Sequence, residues 1–387
     1  MIYYGKQDVN ETDIEAVEAV LRSDFLTQGP AIERFEHRVA DYCGAKYSVA
    51  VTNATSALHI ACLAAGMEKD DILWTSPITF VASANCARYC GSDVDFVDID
   101  KKTYNMSADR LEEKLRKAKA AGRLPKMVIP VHLAGQSCDM QRIHALAEEY
   151  GFVIMEDASH AVGADYLNTK VGSCTFSDMT VFSFHPVKII TTGEGGMVLT
   201  NREDLYEKLL LYRSHGITRN MADMTHEPDG PWYYQQIELG FNYRMTDLQA
   251  ALGCSQMDRL DAFVARRREL AARYDALLRG LPVRTPYVME NTVPSWHIYI
   301  VQVDFSEIGK TKVQVFQEMK ERGIVLNLHY IPVHRQPYYE KLGFCKGDFP
   351  DSEQYYDAAF TLPLYYSLTE EQQDRVVESL RDVISAS

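Results

Sequence analysis

The feature that most constrains this chain of 387 residues is an alternation of short β-branched segments with helical patterns between residues 47 and 200. A polar or glycine-containing turn follows each apolar segment, which is typical of βα units that form a mostly parallel sheet. Ligands bind such sheets beyond the carboxyl ends of the strands, so the functional residues are expected there. Seven strands are predicted, at residues 47–51, 72–75, 94–98, 127–131, 153–156, 180–184 and 196–200.

Helical patterns are predicted before and after this region. Residues 248–278 predict a long, charged helical segment. Residues 217–236 have no clear periodicity, which predicts a long ordered loop. Residues 11–23 predict an amphipathic helix, and its apolar face contains Ile14, Val17, Val20 and Leu21.

The last third of the chain predicts a smaller α+β domain. It contains a candidate strand at 297–303 and candidate helices at 312–322 and 370–384. We therefore expect a large domain over residues 1–250, which includes the N-terminal helix, and a small C-terminal domain over residues 251–387.

The charge balance argues against several classes of partner. Lys and Arg number 40 and Asp and Glu number 54, which gives a net charge of −14. Such a balance repels phosphate polymers and anionic lipid surfaces. No apolar run approaches the roughly 20 residues that span a bilayer, and the first residues lack the pattern of a signal peptide. A cytoplasmic protein that binds neither nucleic acid nor membrane is therefore predicted.

The cysteines do not predict a metal site. The chain has eight of them, scattered among apolar neighbours. The closest pair in sequence, Cys86 and Cys90, lies in a predicted helix without a cluster of histidines nearby in the sequence. Most of these thiols are expected to be reduced core residues, and metal is expected to be absent.

Four candidate functional residues follow the predicted strands. Asp157 ends an apolar strand, where a carboxylate needs a cation or hydrogen bonds to stay charged. Lys188 follows another apolar strand, and a lysine that loses its proton there becomes a nucleophile. Thr55 lies at the start of a helix whose free N–H groups suit a phosphate. Phe80 follows a further strand and offers an aromatic face.

Each of these residues alone has an ordinary structural interpretation, as a helix cap, a surface lysine or a core aromatic residue. Together they supply an acid for a pyridine nitrogen, a lysine for an aldehyde, a helix N-terminus for a phosphate and an aromatic face. Those are the requirements of pyridoxal phosphate. Neither a Walker loop nor a G-x-G-x-x-G motif after a strand is present, so nucleotide triphosphate and dinucleotide loops are not indicated.

Four motifs then give the chain a family resemblance. They are Phe-Leu-Thr-Gln-Gly-Pro at 25–30, Asn-Ala-Thr-Ser-Ala-Leu-His at 53–59, Glu-Asp-Ala-Ser-His-Ala at 156–161 and Gly-Phe-Asn-Tyr-Arg-Met at 240–245. The chain resembles the sugar aminotransferases of the DegT/DnrJ/EryC1/StrS family. The resemblance implies an α/β fold of the fold-type I pyridoxal phosphate enzymes, with a seven-stranded, mostly parallel sheet in the large, cofactor-binding domain.

The resemblance also implies residue roles. Lys188 would hold the cofactor covalently and transfer protons, Asp157 would keep the pyridine nitrogen protonated, and His160 would lie near the ring. A structural role for His160 stays open. Asn242 would reach the phosphate from a neighbouring subunit, which implies a homodimer with shared active sites. The implied cofactor-binding residues are Ala54, Thr55, Phe80, Asp157, His160, Ser183, Lys188 and Asn242.

The segment Ser-Phe-His-Pro-Val-Lys at 183–188 is similar to family members that act in pseudaminic acid biosynthesis. This similarity implies transfer of an amino group from L-glutamate to C4 of UDP-2-acetamido-2,6-dideoxy-β-L-arabino-hex-4-ulose. Another nucleotide-linked keto sugar, as in the bacillosamine or dTDP-amino sugar pathways, is the main alternative. Candidate substrate-binding residues, which interface or core roles explain equally well, are Thr27, Gln28, Tyr243, Arg244, His329 and Tyr330.

Two further alternatives concern the activity itself. A pyridoxal phosphate-dependent dehydratase of the same fold would carry histidine in place of the lysine, so Lys188 argues against it. A scaffold or sensor that only binds the cofactor or a nucleotide sugar would lack the lysine or carry a DNA-binding segment, and this sequence shows neither feature.

Overall fold

A computed structural model describes residues 1–385 and contains the following elements. The strands are β1 (Tyr47–Val51), β2 (Ile72–Thr75), β3 (Asp93–Phe96), β4 (Met127–Ile129), β5 (Val153–Asp157), β6 (Asp165–Tyr166), β7 (Thr169–Lys170), β8 (Met179–Ser183), β9 (Gly196–Thr200), β10 (Ile217–Thr218), β11 (Gln235–Gln236), β12 (Thr292–Val293), β13 (Tyr299–Gln302) and β14 (Ala359–Leu362). The helices are α1 (Glu11–Leu21), α2 (Pro30–Cys43), α3 (Ala54–Ala64), α4 (Ala82–Tyr89), α5 (Ala108–Ala120), α6 (Met140–Tyr150), α7 (Glu203–Arg213), α8 (Asp247–Met257), α9 (Leu260–Leu277), α10 (Lys312–Glu321), α11 (Pro337–Glu340), α12 (Pro350–Ala358) and α13 (Glu370–Ser385).

The central sheet has seven strands in the order β1-β9-β8-β5-β4-β2-β3. Every neighbouring pair is parallel except the two pairs that involve β9, which runs antiparallel to β1 and β8. The predicted number of strands and their mostly parallel arrangement are confirmed. Strand β4 ends at Ile129, two residues earlier than predicted, because Pro130 has no N–H to continue the ladder.

Helices cover both faces of this sheet. Successive residues of β8 show the alternation, since Val181 packs into a core with α3 and α7 while Phe182 packs into a core with α2, α8 and α9. Strands β1, β2, β5 and β8 all run in the same direction, so their carboxyl ends meet at one edge of the sheet. The four candidate functional residues, Thr55, Phe80, Asp157 and Lys188, therefore lie at that edge.

The C-terminal part forms a second core around the antiparallel pair β13 and β14. Helices α9, α10 and α13 pack on this pair through buried side chains such as Leu270, Val315 and Leu380. The helical segment predicted over 248–278 is interrupted at Asp258 and Arg259, which separate α8 from α9. Helix α8 runs through residue 250 and packs on α2. The domain division at residues 250 and 251 stays a prediction.

The loop predicted over residues 217–236 contains one short strand pair, β10 with β11. Its remaining residues are mostly exposed, including Met221 and Trp232. In residues 1–385, no helix is long and apolar enough to cross a membrane.

The predicted apolar face of α1 is wrong in part. The helix forms, and Val20 is buried as predicted, but Ile14 and Leu21 are 51% and 59% exposed. The fully buried residue is instead Asp13. Its carboxylate accepts hydrogen bonds from Ser255 and Gln256 of α8, at 2.6 and 2.7 Å. Polar contacts therefore hold α1 on α8, which the apolar pattern did not indicate.

Removal of the Asp13 carboxylate is expected to destabilise the protein. Asp13 also forms an ion pair with Arg259. The change Asp13→Ala removes the acceptor that the buried donors of Ser255 and Gln256 share and leaves Arg259 paired with Asp8 alone, so the free energy of unfolding should fall by about 2–3 kcal/mol in urea titrations. The exposed neighbour Glu15 provides the control, because Glu15→Ala should change that free energy by less than about 0.5 kcal/mol. Equal losses in the two variants would contradict this account.

Candidate active site

A cavity of about 650 Å³ lies at the edge of the sheet where the parallel strands end. The chain segment 327–330 forms its opposite wall together with Tyr4. Seven of the eight predicted cofactor-binding residues line this one cavity: Ala54, Thr55, Phe80, Asp157, His160, Ser183 and Lys188. The eighth, Asn242, lies outside it.

Asp157 ends β5 and is only 5% exposed. The Ser83 hydroxyl donates a hydrogen bond to its Oδ2 at 2.6 Å, and the Ser159 hydroxyl and N–H donate to its Oδ1 at 2.6 and 3.1 Å. Among residues 1–385, no Lys, Arg or His forms an ion pair with this carboxylate. A buried anion that has only neutral donors suits a cationic nitrogen from a ligand, as a protonated pyridine would supply.

Lys188 enters the cavity from the turn that follows β8, and its backbone N–H donates to the carbonyl of His185 at 2.9 Å. Loss of solvation lowers the pKa of its amine from 10.5 to about 8, and the charge of Asp157 partly opposes that fall. A much larger fraction of this amine is therefore neutral at pH 7 than in an ordinary lysine. Neutral amine is the form that attacks an aldehyde carbon.

Three histidines face the same space and stay uncharged. Burial and the charge of Lys188 lower the pKa of His160 well below its usual value and lower that of His329 to about 3. Burial also lowers the pKa of His297. None of the three rings therefore adds a positive charge to the cavity at neutral pH.

The hydrogen bonds of His160 define its tautomer. Its Nδ1 accepts a bond from the N–H of Ala134 at 3.3 Å, so the proton of the neutral ring is assigned to Nε2. That nitrogen lies 3.0 Å from the hydroxyl oxygen of Tyr330 and donates to it. His160 and Tyr330 therefore connect the sheet side of the cavity to the opposite wall.

The start of α3 provides an anion site. The side chain of Asn53 caps the helix by accepting from the N–H of Ser56 at 2.8 Å. The N–H groups of Ala54 and Thr55 come before the first intrahelical bonds and are left for a ligand. A Cβ at Gly196 would lie 2.5 Å from the backbone of Asn53, so glycine is needed where β9 passes this turn.

The ring of Phe80 lines the cavity and is 59% exposed. A large aromatic side chain with this much open surface inside a cavity is available to pack on a flat ligand. With the buried carboxylate, the amine and the helix N-terminus, the residues present fit pyridoxal phosphate.

Four of the six candidate substrate residues do not line the cavity of their own chain. Thr27 pairs with Thr246, and Arg244 pairs with Val51, in isolated β-bridges. These four residues, Thr27, Gln28, Tyr243 and Arg244, stay predictions, as does Asn242, which is exposed. His329 and Tyr330 do line the cavity.

The sequence analysis missed several lining residues. Ser83, Ser159 and Asn327 have small polar side chains, and Tyr4 and His297 lie far from the recognised motifs. Only the position of Ser159, two residues after Asp157, offered a sequence signal, because Ser at that spacing often bonds a preceding Asp.

The chain matches known proteins along its whole length. The model of the DegT/DnrJ/EryC1/StrS aminotransferase family matches residues 7–381. The spore coat polysaccharide biosynthesis protein SpsC of Bacillus subtilis is 38% identical over 99% of this chain and 97% of its own. A UDP-4-amino-4,6-dideoxy-N-acetyl-beta-L-altrosamine transaminase of Campylobacter jejuni is 34% identical over 99% of this chain and 98% of its own.

Solved structures agree with these relatives. Helicobacter pylori PseC, an aminotransferase involved in the biosynthesis of pseudoaminic acid, has a TM-score of 0.90 at 29% identity and full coverage of both chains. The PLP-form of the putative sugar aminotransferase Spr1654 of Streptococcus pneumoniae has a TM-score of 0.88 at 28% identity, covering 99% of this chain and 98% of its own. The predicted fold class is confirmed.

The titration of Lys188 is a direct test of the cavity electrostatics. Acetylation of the cofactor-free protein, followed by peptide mass analysis, should show Lys188 reacting with a midpoint near pH 8, whereas a lysine peptide titrates near 10.5. Removal of the nearby negative charge in Asp157→Asn should lower this midpoint further, because that charge favours the ammonium form. A midpoint near 10.5, the value of the lysine peptide, would contradict the burial of the amine.

Proposed function

Because this chain belongs to the DegT/DnrJ/EryC1/StrS aminotransferase family, we propose that it transfers an amino group from L-glutamate to C4 of a UDP-linked 4-keto-6-deoxy-N-acetylhexosamine. The family match and the relatives identify the chain as an aminotransferase of nucleotide sugars that uses pyridoxal 5′-phosphate. The observation that carries the residue assignment is that a lysine with a lowered pKa lines the same cavity as a buried carboxylate that forms no ion pair with a side chain of residues 1–385.

Pyridoxal phosphate, when bound, accepts an amino group from one substrate, donates it to the next and withdraws electrons from the reacting carbon. Asp157 would hold the proton on its ring nitrogen. The start of α3 and the hydroxyl of Ser183 would bind its phosphate. Phe80 and His160 would lie against the ring.

Lys188 would hold the cofactor covalently between turnovers and then act as the acid and base. Its Nζ removes the proton from the α-carbon of L-glutamate and later delivers a proton to C4 of the sugar. A pKa near 8 suits both tasks at neutral pH, since the amine gains and loses a proton readily there. Delivery from one fixed side chain determines which face of C4 receives the hydrogen.

The relatives support the sugar assignment. The Campylobacter jejuni relative is named for UDP-4-amino-4,6-dideoxy-N-acetyl-beta-L-altrosamine, and the Helicobacter pylori structure is that of an aminotransferase involved in the biosynthesis of pseudoaminic acid. We assign the same 4-amino sugar as product, with His329 and Tyr330 on the sugar-facing wall. The 38% identity to a spore coat polysaccharide protein favours a second candidate, the same reaction on another nucleotide-linked keto sugar.

The active site is proposed to be completed by a second copy of the chain. Asn242 is exposed and does not line the cavity of its own chain, so its side chain is free to face a neighbouring subunit. The segment around it also exposes large apolar side chains, with Leu239 77% and Trp232 72% accessible. A homodimer that covers this segment would place Asn242, Tyr243 and Arg244 at the neighbouring cavity. The cytoplasmic location stays a prediction from the sequence.

A substrate panel tests the proposed reaction. The purified enzyme with pyridoxal phosphate is treated with L-glutamate and then with UDP- and dTDP-linked 4-keto sugars, and products are identified by mass and NMR. We expect amination of UDP-2-acetamido-2,6-dideoxy-β-L-arabino-hex-4-ulose and the corresponding altrosamine product. Preference for another keto sugar would overturn the sugar assignment, and no response of the cofactor absorbance to any amino donor would overturn the reaction.

Subunit mixing tests the shared site. Lys188→Ala and Asn242→Ala should each be inactive. After random mixing, about half of the dimers contain one subunit of each variant, and each of these has one complete site of two. The mixture should therefore show about a quarter of the wild-type activity. Lys188→Ala mixed with Asp157→Ala is the control, because both residues line the same cavity and no complete site can form. An inactive first mixture, with subunit exchange shown by native mass spectrometry, would exclude sharing through Asn242.

A further inference from the structure

The carboxylate of Asp157 lies at the end of a chain of buried hydroxyl groups. Ser83 Oγ lies 2.6 Å from Asp157 Oδ2 and 2.7 Å from Thr79 Oγ1. Thr79 and Ser83 are 2% and 0% exposed. Thr79 lies in the connection from β2 to α4 and Ser83 in the first turn of α4, whereas Asp157 ends β5, so these hydrogen bonds link the ends of two strands that β4 separates.

The direction of these hydrogen bonds follows from their acceptors. Ser83 has one hydroxyl hydrogen and three acceptors in reach: the Asp157 carboxylate at 2.6 Å, the Thr79 hydroxyl at 2.7 Å and the carbonyl of Phe80 at 3.3 Å. The shorter contact to an ionised acceptor is the stronger one, so the hydrogen of Ser83 goes to Asp157. The bond between the two hydroxyl groups must then be donated by Thr79.

This arrangement restrains the carboxylate at both oxygens. Oδ1 is held by the two donors of Ser159, and Oδ2 is held by Ser83, whose own position depends on Thr79. A carboxylate bound in this way cannot rotate about its χ2 angle without breaking a bond. It is therefore oriented before any ligand arrives, which reduces the entropy lost on binding.

We propose that Thr79 and Ser83 are positioning residues that orient Asp157 toward the ring nitrogen of the cofactor, with Thr79 acting only through Ser83. The proposal rests on the proposed role of Asp157. Neither hydroxyl needs to touch the cofactor, because their effect is transmitted by the carboxylate. Their loss should therefore weaken cofactor binding and disturb the protonation of the ring nitrogen.

Cofactor affinity gives the first test. Titration of the cofactor-free protein with pyridoxal phosphate, followed by absorbance, should show a dissociation constant about tenfold higher in Ser83→Ala, the usual effect of losing a hydrogen bond to a charged group. Thr79→Val keeps the shape but loses the hydroxyl, and a rise of about threefold is expected. Thr79→Ser keeps the hydroxyl and should match the wild type.

A double-mutant cycle distinguishes an effect of Thr79 through Ser83, which we call the relay, from an independent loss of packing. If Thr79 acts only through Ser83, Thr79→Val has no further effect once Ser83 is alanine, and the double variant matches Ser83→Ala. Additive losses would overturn the relay. Ser92→Ala is the matched control. Ser92 follows the C-terminal end of α4, is also fully buried, and donates a hydrogen bond to the carbonyl of Glu68 at 2.6 Å. It should leave cofactor affinity unchanged.

A spectroscopic readout tests the ring nitrogen itself. With cofactor labelled at that nitrogen, the 15N chemical shift should move in Ser83→Ala and stay in Ser92→Ala, at cofactor saturation. The variant Asp157→Asn distinguishes the relay through Ser83 from the role of Asp157 itself. If it weakens binding and Ser83→Ala does not, the relay is wrong and the role of Asp157 stands; if Asp157→Asn binds the cofactor normally, both are wrong.

Discussion

The charge of Asp157, buried at the end of β5 without a cationic side chain beside it, is the constraint on which the active site depends. Transfer of a carboxylate from water into a protein costs several kcal/mol unless hydrogen bonds or a cation compensate it. Here three neutral donors from Ser83 and Ser159 supply the compensation. The negative charge is thus retained for a ligand, and the strand order determines where that ligand must lie.

Lys188 is the complementary charge, and it governs the other titratable groups of the cavity. It is the only Lys or Arg among the described residues that line the cavity, and its charge helps to keep His160 and His329 neutral. The cavity of one chain therefore has little fixed positive charge for a diphosphate or for the carboxylates of an amino donor. In the proposed homodimer, Arg244 of the second copy would add positive charge to the cavity.

The strand-end residues were predictable because their signals are local. An apolar run that ends in Glu156 and Asp157, or in a lone Lys188, can be recognised within ten residues of sequence, and a parallel sheet brings such ends together. The hydroxyl partners of Asp157 were not predictable in the same way. Ser83 lies 74 positions away, and only the order of the strands in the folded sheet brings it into contact.

The position of α1 shows a second limit of pattern-based prediction. Apolar periodicity assigns Ile14 and Leu21 to a buried face, yet the contact with α8 is made by Asp13. Whether a carboxylate is buried depends on donors more than 240 positions away, which periodicity does not detect. The exposed Ile14 and Leu21 remain as apolar surface that the isolated chain does not cover.

The two walls of the cavity differ in how they are built. Asp157 and Ser183 end strands of the central sheet and Lys188 follows one of them, so the register of the sheet determines their spacing. The facing wall consists of irregular chain, where the ring of Tyr4 packs on His329 at 5.3 Å and its carbonyl accepts from the N–H of Leu364. Irregular segments tolerate substitution better than strands. Under the proposed function, the sheet side would retain the same reaction while changes on the facing wall would alter which keto sugar is accepted.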